Sequence, residues 1–193
     1  ITAPAATDAP AFSQQCVNLA DNRLGSQIIA VSDDFFAKAE RMLNHLPALF
    51  YPDKYDDNGK WMDGWESRRR RDAGHDWCIV KLGVAGKVKG LQLDTSFFTG
   101  NFAPAASVEA CYCEQDTPPS DTQWHSILSA SALSADNHHF FAVDTEQPIS
   151  HLRINIFPDG GIARLRVFGH PIPQPSSEQS IDLVALKNGG RVI

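Results

Sequence analysis

From His151 to Gly169 the chain reads H-L-R-I-N-I-F-P-D-G-G-I-A-R-L-R-V-F-G. Leu152, Ile154 and Ile156 alternate with Arg153 and Asn155, a turn follows at Pro158–Gly161, and Leu165 and Val167 alternate with Arg164 and Arg166. A period of two predicts a hairpin with one core face and one polar face. Short apolar or alternating runs recur at Gln27–Val31, Trp77–Leu82, Val88–Asp94, Ser107–Cys113, Trp124–Leu128 and Phe140–Asp144, separated by Gly, Pro, Asp and Asn. Many short antiparallel strands at this spacing predict an all-β fold, a β-sandwich of the jelly-roll kind. One segment has a helical period instead. Ser32 stands as a cap, Asp33 and Asp34 fall in the first turn, and Phe35, Ala39, Met42, Leu43 and Leu46 share a face up to Pro47. This predicts one short helix near the N-terminus.

The ends read differently. Residues 1–15, rich in Ala and Pro, cannot build a buried face and are expected to form a flexible arm. The sandwich is expected over 16–170, and P-I-P-Q-P opens a linker at 171–180. The last residues, D-L-V-A-L-K-N-G-G-R-V-I, repeat the pattern of N-L-A-D-N-R-L-G-S-Q-I-I at 18–29. Leu183 falls on Leu19, Gly189 on Gly25 and Ile193 on Ile29. Residues 181–193 therefore read as the start of a second repeat, and the chain as a portion of a longer two-repeat protein.

Composition narrows the classes. The chain has 193 residues, 42% of them hydrophobic and 21% charged, enough for one substantial core. A net charge of −6 argues against nucleic acid as a partner, since phosphate binding needs a basic face. No apolar run approaches the roughly 20 residues of a membrane helix, and the N-terminus lacks the pattern of a secretory signal. Cys16, Cys78, Cys111 and Cys113 do not form a disulfide framework at this length, so reduced thiols and a cytoplasmic location are expected. Cys111 and Cys113, two apart in a strand-like segment, share a face; C-x-C by itself is weak evidence for a metal.

The chemistry concentrates between Lys60 and Trp77, K-W-M-D-G-W-E-S-R-R-R-R-D-A-G-H-D-W. This stretch holds four arginines, four carboxylates, a histidine and three tryptophans. Arginine forks suit a small carboxylate ligand, and carboxylates with His suit proton transfer. The alternative is a solvated loop of salt bridges, with Asp76 tying a turn and the tryptophans anchoring the loop. A second polar cluster, Asp94, Thr95 and Asn101, begins where an apolar strand ends.

Taken together, V-S-D-D-F-F (31–36), G-K-W-M-D-G-W-E-S-R-R-R-R (59–71), G-H-D-W-C-I-V-K-L-G (74–83), L-D-T-S-F-F-T-G-N-F (93–102) and the P-D-G-G-I-A-R-L-R-V-F-G block (158–169) resemble the allantoicases. The resemblance implies a tandem pair of jelly-roll domains similar to galactose-binding modules. It also implies hydrolysis of allantoate to ureidoglycolate and urea in purine breakdown. A complete member would carry the second repeat. A non-catalytic galactose-binding-like module for a carbohydrate or other ligand is the competing reading.

Allantoate is a methine carbon bearing one carboxylate and two ureido groups. Releasing urea calls for a cation on the carboxylate, an acid for the departing nitrogen and a base for water. Glu66, His75, Asp63 and Asp76 are the catalytic candidates. Arg68, Arg69, Arg70, Asp94, Thr95 and Asn101 are the substrate-binding candidates. His138–His139 and His75–Asp76 lack the spacing of a recognised metal loop, so no metal residue is assigned, although a loosely held divalent ion remains open. A homo-oligomer is equally open.

Overall fold

The computed structural model describes residues 1–172; the linker expected from 171 lies outside the described residues beyond Ile172, as does the whole second-repeat start at 181–193. The strands are β1 (Val17–Asn18), β2 (Gln27–Val31), β3 (Tyr55–Asp56), β4 (Gly59–Lys60), β5 (Trp65–Glu66), β6 (Asp76–Asp94), β7 (Ala105–Cys111), β8 (His125–Ala132), β9 (His138–Ala142), β10 (Ile149–Phe157), β11 (Gly161–Ile162) and β12 (Arg164–Pro171).

The organising element is β6. Its first half pairs with β2 on one side and β10 on the other, with Val80 opposite both Ile28 and Leu152. Its second half pairs with β12 and β9, with Leu93 opposite Leu165 and His139. The two strands expected at Trp77–Leu82 and Val88–Asp94 are therefore one strand of 19 residues that serves both layers of the sandwich. Strand β10 leads on to β7 and β8, while β12 leads on to β1. At the corner the backbones come so close that a Cβ on Gly86 would sit 2.5 Å from the carbonyl oxygen of His170. Alternate residues of the strands meet in between: Cys78, Val80, Leu91, Leu93, Val108, Leu152, Ile154, Ile156, Leu165 and Val167 are all fully buried.

Further expectations change. The His151–Gly169 block is not a hairpin: β10 and β12 never pair with each other, and both pair antiparallel with β6. The residues after Phe157 carry the chain from one layer to the other, and alternation within a strand cannot reveal which neighbour it meets. The helix expected from Ser32 is also absent. Only a 3-10 turn, Ala39–Leu43, forms there. Asp33 spends its carboxylate on the backbone N–H groups of Phe35 and Arg68, its carbonyl accepts the Trp65 indole N–H, and Ala37 bridges to Glu66. These tertiary bonds hold the segment extended, and they outweigh a weak local helical preference.

Among the described residues the one α-helix is Ala11–Gln15, within the residues read as an arm. Phe12 lies 5.9 Å from the Phe168 ring and covers Gly90, and the Ala3 N–H donates to the Ala48 carbonyl at 2.8 Å. No helix among the described residues is long and apolar enough to cross a membrane.

One buried charge ties the loops to this frame. Arg164, 1% exposed at the start of β12, meets Asp63 at 2.5 Å. Its guanidinium also donates to the carbonyls of Arg41, Leu46, Pro47, Asp63 and Ala163. Asp63 in turn accepts the Leu49 N–H at 2.8 Å. Two residues on, burial and the nearby Arg164 charge bring the pKa of Arg166 down to about 10, which still leaves it charged at neutrality. Removing one partner of the buried pair strands the other charge. Asp63→Ala is expected to cost about 3–5 kcal/mol of stability in urea unfolding. A loss below about 1 kcal/mol would reduce the pair to a surface-like contact.

Candidate active site

At one end of the sandwich the loops enclose a cleft of about 460 Å³, lined among others by Lys60, Glu66, Phe97, Asn101 and Asp136. That volume suits a small molecule. Its base is built from short backbone pairings. Glu66 lies opposite Gly161 in the β5–β11 pair, and its backbone also pairs with Ala37. Trp65, next in the chain and fully buried, anchors this strand in the core. On the other side of β11, Phe102 bridges to Gly161 and Ala103 donates to the Gly161 carbonyl. Glycine is required there, since a Cβ on Gly161 would fall 2.1 Å from the Phe98 ring. The result places Asn101 against Glu66, with the amide Nδ2 donating to Oε1 at 2.8 Å.

The electrostatics shift Glu66 toward its neutral form. Burial raises the Glu66 pKa; the Asn101 hydrogen bond lowers it in part, and the Asp56 charge adds to the rise. Nearby, the Lys60 ammonium donates to the Pro52 carbonyl and lies over the rings of Tyr55, at 4.9 Å, and Phe50, at 5.1 Å. Among the described residues it has no carboxylate partner.

The far wall is strained. Phe97 (φ 67°) and Asp136 (φ 47°) are the two non-glycine residues with positive φ among those described, and both line the cleft. The Phe97 N–H donates to Asp136 Oδ1 at 2.7 Å, and the Asp136 N–H donates to the Phe98 carbonyl. Such conformations cost of order 1–3 kcal/mol each and persist where the surroundings enforce them, often at binding sites.

The other candidates from the sequence fall elsewhere. Asp94 accepts from the backbone and hydroxyl of Ser96, and Thr95 binds the carbonyls of Ser134 and Asn137. Both shape the loop that presents Asn101. Asp63 is held by Arg164. Arg68 pairs with Asp33 at 2.6 Å, Arg69 is exposed, and Arg70 pairs with Asp76 and Asp72 at 2.8 and 2.9 Å. Asp76 also accepts from the Ser32 hydroxyl. None of these arginines lines the cleft.

His75 borders a second concavity of about 710 Å³, on the outer face of the layer formed by β6, β10, β7 and β8. There His75 Nε2 meets Asn155 Oδ1 at 3.1 Å, and Asn155 donates to Glu109. Glu109 is gripped by Arg153 at 2.7 and 2.9 Å, which holds its pKa below the ordinary value together with the Asn155 bond. Among the described residues no three His, Cys, Asp or Glu side chains gather as a metal set.

Sequence reading did not single out Lys60, Asp136 or the wall position of Phe97. The fold brings Lys60 and Asp136 to the same cleft as Glu66.

These features define the class first: a galactose-binding-like β-sandwich. The structure superposes with a TM-score of 0.55 on a family 32 carbohydrate-binding module from Clostridium perfringens that is 12% identical, covering 83% of this chain and 99% of that one. Likeness at that identity speaks to fold alone. The chain belongs to the allantoicase family, since residues 17–172 match the allantoicase repeat. A relative in Acinetobacter baumannii (strain SDF), named probable allantoicase, is 54% identical over 97% of this chain and 56% of its own length. A crystal structure of allantoicase from Saccharomyces cerevisiae superposes with a TM-score of 0.77 at 34% identity, covering 90% of this chain and 53% of that one. The chain thus spans little more than half the length of the relatives it matches.

The cleft depends on the close approach at Gly161. Gly161→Ala is expected to push Phe98 aside at a cost of about 1–3 kcal/mol in thermal or urea unfolding. In the folded fraction, Asn101 should separate from Glu66, visible as a shifted Asn101 side-chain amide resonance. An unchanged resonance would detach the cleft from β11.

Proposed function

We propose that this repeat contributes to the hydrolysis of allantoate to ureidoglycolate and urea, with the end cleft as its site. The observation that carries this reading is a carboxyl raised in pKa and hydrogen-bonded to an amide, in the same cleft as a lysine without a carboxylate partner. Family membership supports the substrate, a small molecule, and a metabolic role in the cytoplasm is the matching location.

Each group then has a task. Lys60 binds the substrate carboxylate. Asn101 holds the Glu66 acid in place and offers its amide oxygen to a ureido N–H. Protonated Glu66 gives its proton to the nitrogen of the departing urea as the C–N bond breaks. Asp136 takes a proton from the water whose oxygen joins the methine carbon. Allantoate and water give ureidoglycolate and urea, so atoms and charge balance. His75, Arg68, Arg69 and Arg70 stand outside this scheme.

The assay is urea release from allantoate, run on this chain and on a two-repeat protein that contains it. Glu66→Gln is expected to lower turnover by roughly 10²–10⁴-fold with little change in KM. Lys60→Met should instead weaken apparent affinity by about 1.5–3 kcal/mol. Glu66→Gln keeping turnover within about twofold of wild type, in a folded protein, would sink the assignment.

The raised pKa also fixes a pH dependence. Folding is favoured by the neutral form of Glu66, so that stabilisation is complete below its ordinary value of 4.5 and lost as pH climbs through the folded value. Turnover should fall over the same rise as the acid loses its proton. Urea unfolding against pH should show a slope above pH 4.5 that Glu66→Gln flattens; identical slopes in both proteins would contradict the buried acid.

A further inference from the structure

The C-x-C pair has no part in the cleft, yet it stands beside a buried base. Cys111 ends β7 opposite His151 of β10. Cys113 follows where the chain leaves the ladder and is half-exposed. Its thiol donates to the Gln115 carbonyl oxygen at 3.4 Å, and its Sγ also lies 3.5 Å from His151 Nδ1. All four cysteines are thiols.

The tautomer of His151 follows from its partners. The ring is fully buried, and Nε2 sits 2.9 Å from the Asp116 carbonyl oxygen, which can only accept. Nε2 therefore carries the hydrogen and Nδ1 presents a lone pair. Burial keeps the His151 pKa below its ordinary value, so the ring is a neutral base. Ser150 competes for that lone pair, with Oγ 2.8 Å from Nδ1. Its one hydrogen has a second destination, the Cys113 carbonyl at 3.0 Å, while Oγ accepts the Cys113 N–H at 2.8 Å. When that hydrogen goes to the Cys113 carbonyl and the thiol hydrogen turns from Gln115, Nδ1 is open to the thiol. Lys81, the cross-strand neighbour of His151, pairs with Asp116 at 2.5 Å and brings a cation to the same corner. A thiol, a base and a group that orients the base form the arrangement of an activated nucleophile.

We propose that Cys113 is a reactive thiol deprotonated by His151, and that with Cys111 it forms a hydroperoxide-responsive pair. The Cys113 thiolate attacks one peroxide oxygen and the O–O bond breaks. The leaving oxygen takes the proton held by His151, and Cys113 becomes a sulfenic acid. The sulfur of Cys111 then attacks that of Cys113. An S–S bond forms, the S–O bond breaks, and hydroxide leaves as water with the Cys111 proton. With hydrogen peroxide, two thiols and one peroxide give a disulfide and two waters. Burial and the Cys113 thiol push Cys111 up to about 12, so it stays protonated during the first step and gives up its proton only as its sulfur attacks in the second.

Limiting iodoacetamide on the reduced chain near neutral pH, with peptide mass spectrometry, tests the first step. Cys113 should react at least about tenfold faster than Cys16, the other half-exposed cysteine. His151→Gln should abolish that advantage and leave Cys16 unchanged. Should that variant fail to fold, Ser150→Ala reads the same contact in the opposite sense: freeing Nδ1 should speed Cys113. Hydrogen peroxide should remove two hydrogens from the peptide spanning Cys111 and Cys113, reversibly with dithiothreitol. Cys111→Ser should stop at a sulfenic acid trapped by dimedone. Cys113 reacting no faster than Cys16, Ser150→Ala failing to speed it, or peroxide giving no disulfide between the two would overturn the proposal.

Discussion

The Arg164–Asp63 pair is the constraint on which the rest depends. A guanidinium that is 1% exposed has lost its water, and it is stable there because every direction of its fork meets an oxygen. Those oxygens belong to segments far apart in sequence, from Arg41 to Pro47 and at Asp63. One side chain of β12 thus fixes the chain on either side of the Tyr55–Lys60 excursion. Trp65 and Glu66 follow Asp63 directly. The opposite wall is set from the same place: the Ala163 N–H donates to the Asp94 carbonyl, and Gly161 receives Phe98 and Phe102. Both halves of the cleft therefore register against the five residues from Gly160 to Arg164.

That dependence explains what the sequence could and could not reveal. Period-two alternation marks strands wherever a layer has one buried face, so the all-β sandwich was legible from Leu152, Ile154, Ile156, Leu165 and Val167. Partner choice was not, because a strand's own pattern is the same whichever neighbour it meets. The missing hairpin between β10 and β12 follows from that. The helical spacing of Phe35 to Leu46 was real, but it came from side chains meeting different partners along an extended, tertiary-bonded path. Helix 11–15 went unseen because its anchor is one ring, Phe12, resting on a glycine of β6.

Of the candidate cleft, the Glu66–Asn101 pair was legible in the sequence and the rest was not. Glu66 and Asn101 lie 35 residues apart and meet in the cleft, each in a segment whose polar residues exceed what a turn needs. The arginine run drew attention by composition, yet an extended chain sends neighbouring side chains apart. Asp33, Asp72 and Asp76 neutralise Arg68 and Arg70 locally. Lys60 gave no signal beyond its charge. Its position matters because it makes no ion pair among the described residues, and that is a property of three-dimensional neighbours.

Charge compensation also separates the two concave surfaces. On the sheet face, Arg153 and Glu109 satisfy each other bidentately, with Asn155 completing the carboxylate and His75 completing Asn155. A substrate carboxylate entering there would have to break a strong paired contact before making its own. In the end cleft the Lys60 ammonium has, among the described residues, a carbonyl and ring faces as partners and no carboxylate, and burial shifts Glu66 toward its neutral form, so an anion gains an ion pair without displacing one. The strained Phe97–Asp136 wall fits the same logic, since a carboxylate fixed by the Phe97 N–H keeps one oxygen directed and leaves the other for water. The larger cavity thus has its charges paired internally while the smaller holds an ammonium without a carboxylate partner among the described residues, which favours the proposed placement of chemistry on an anion in the smaller.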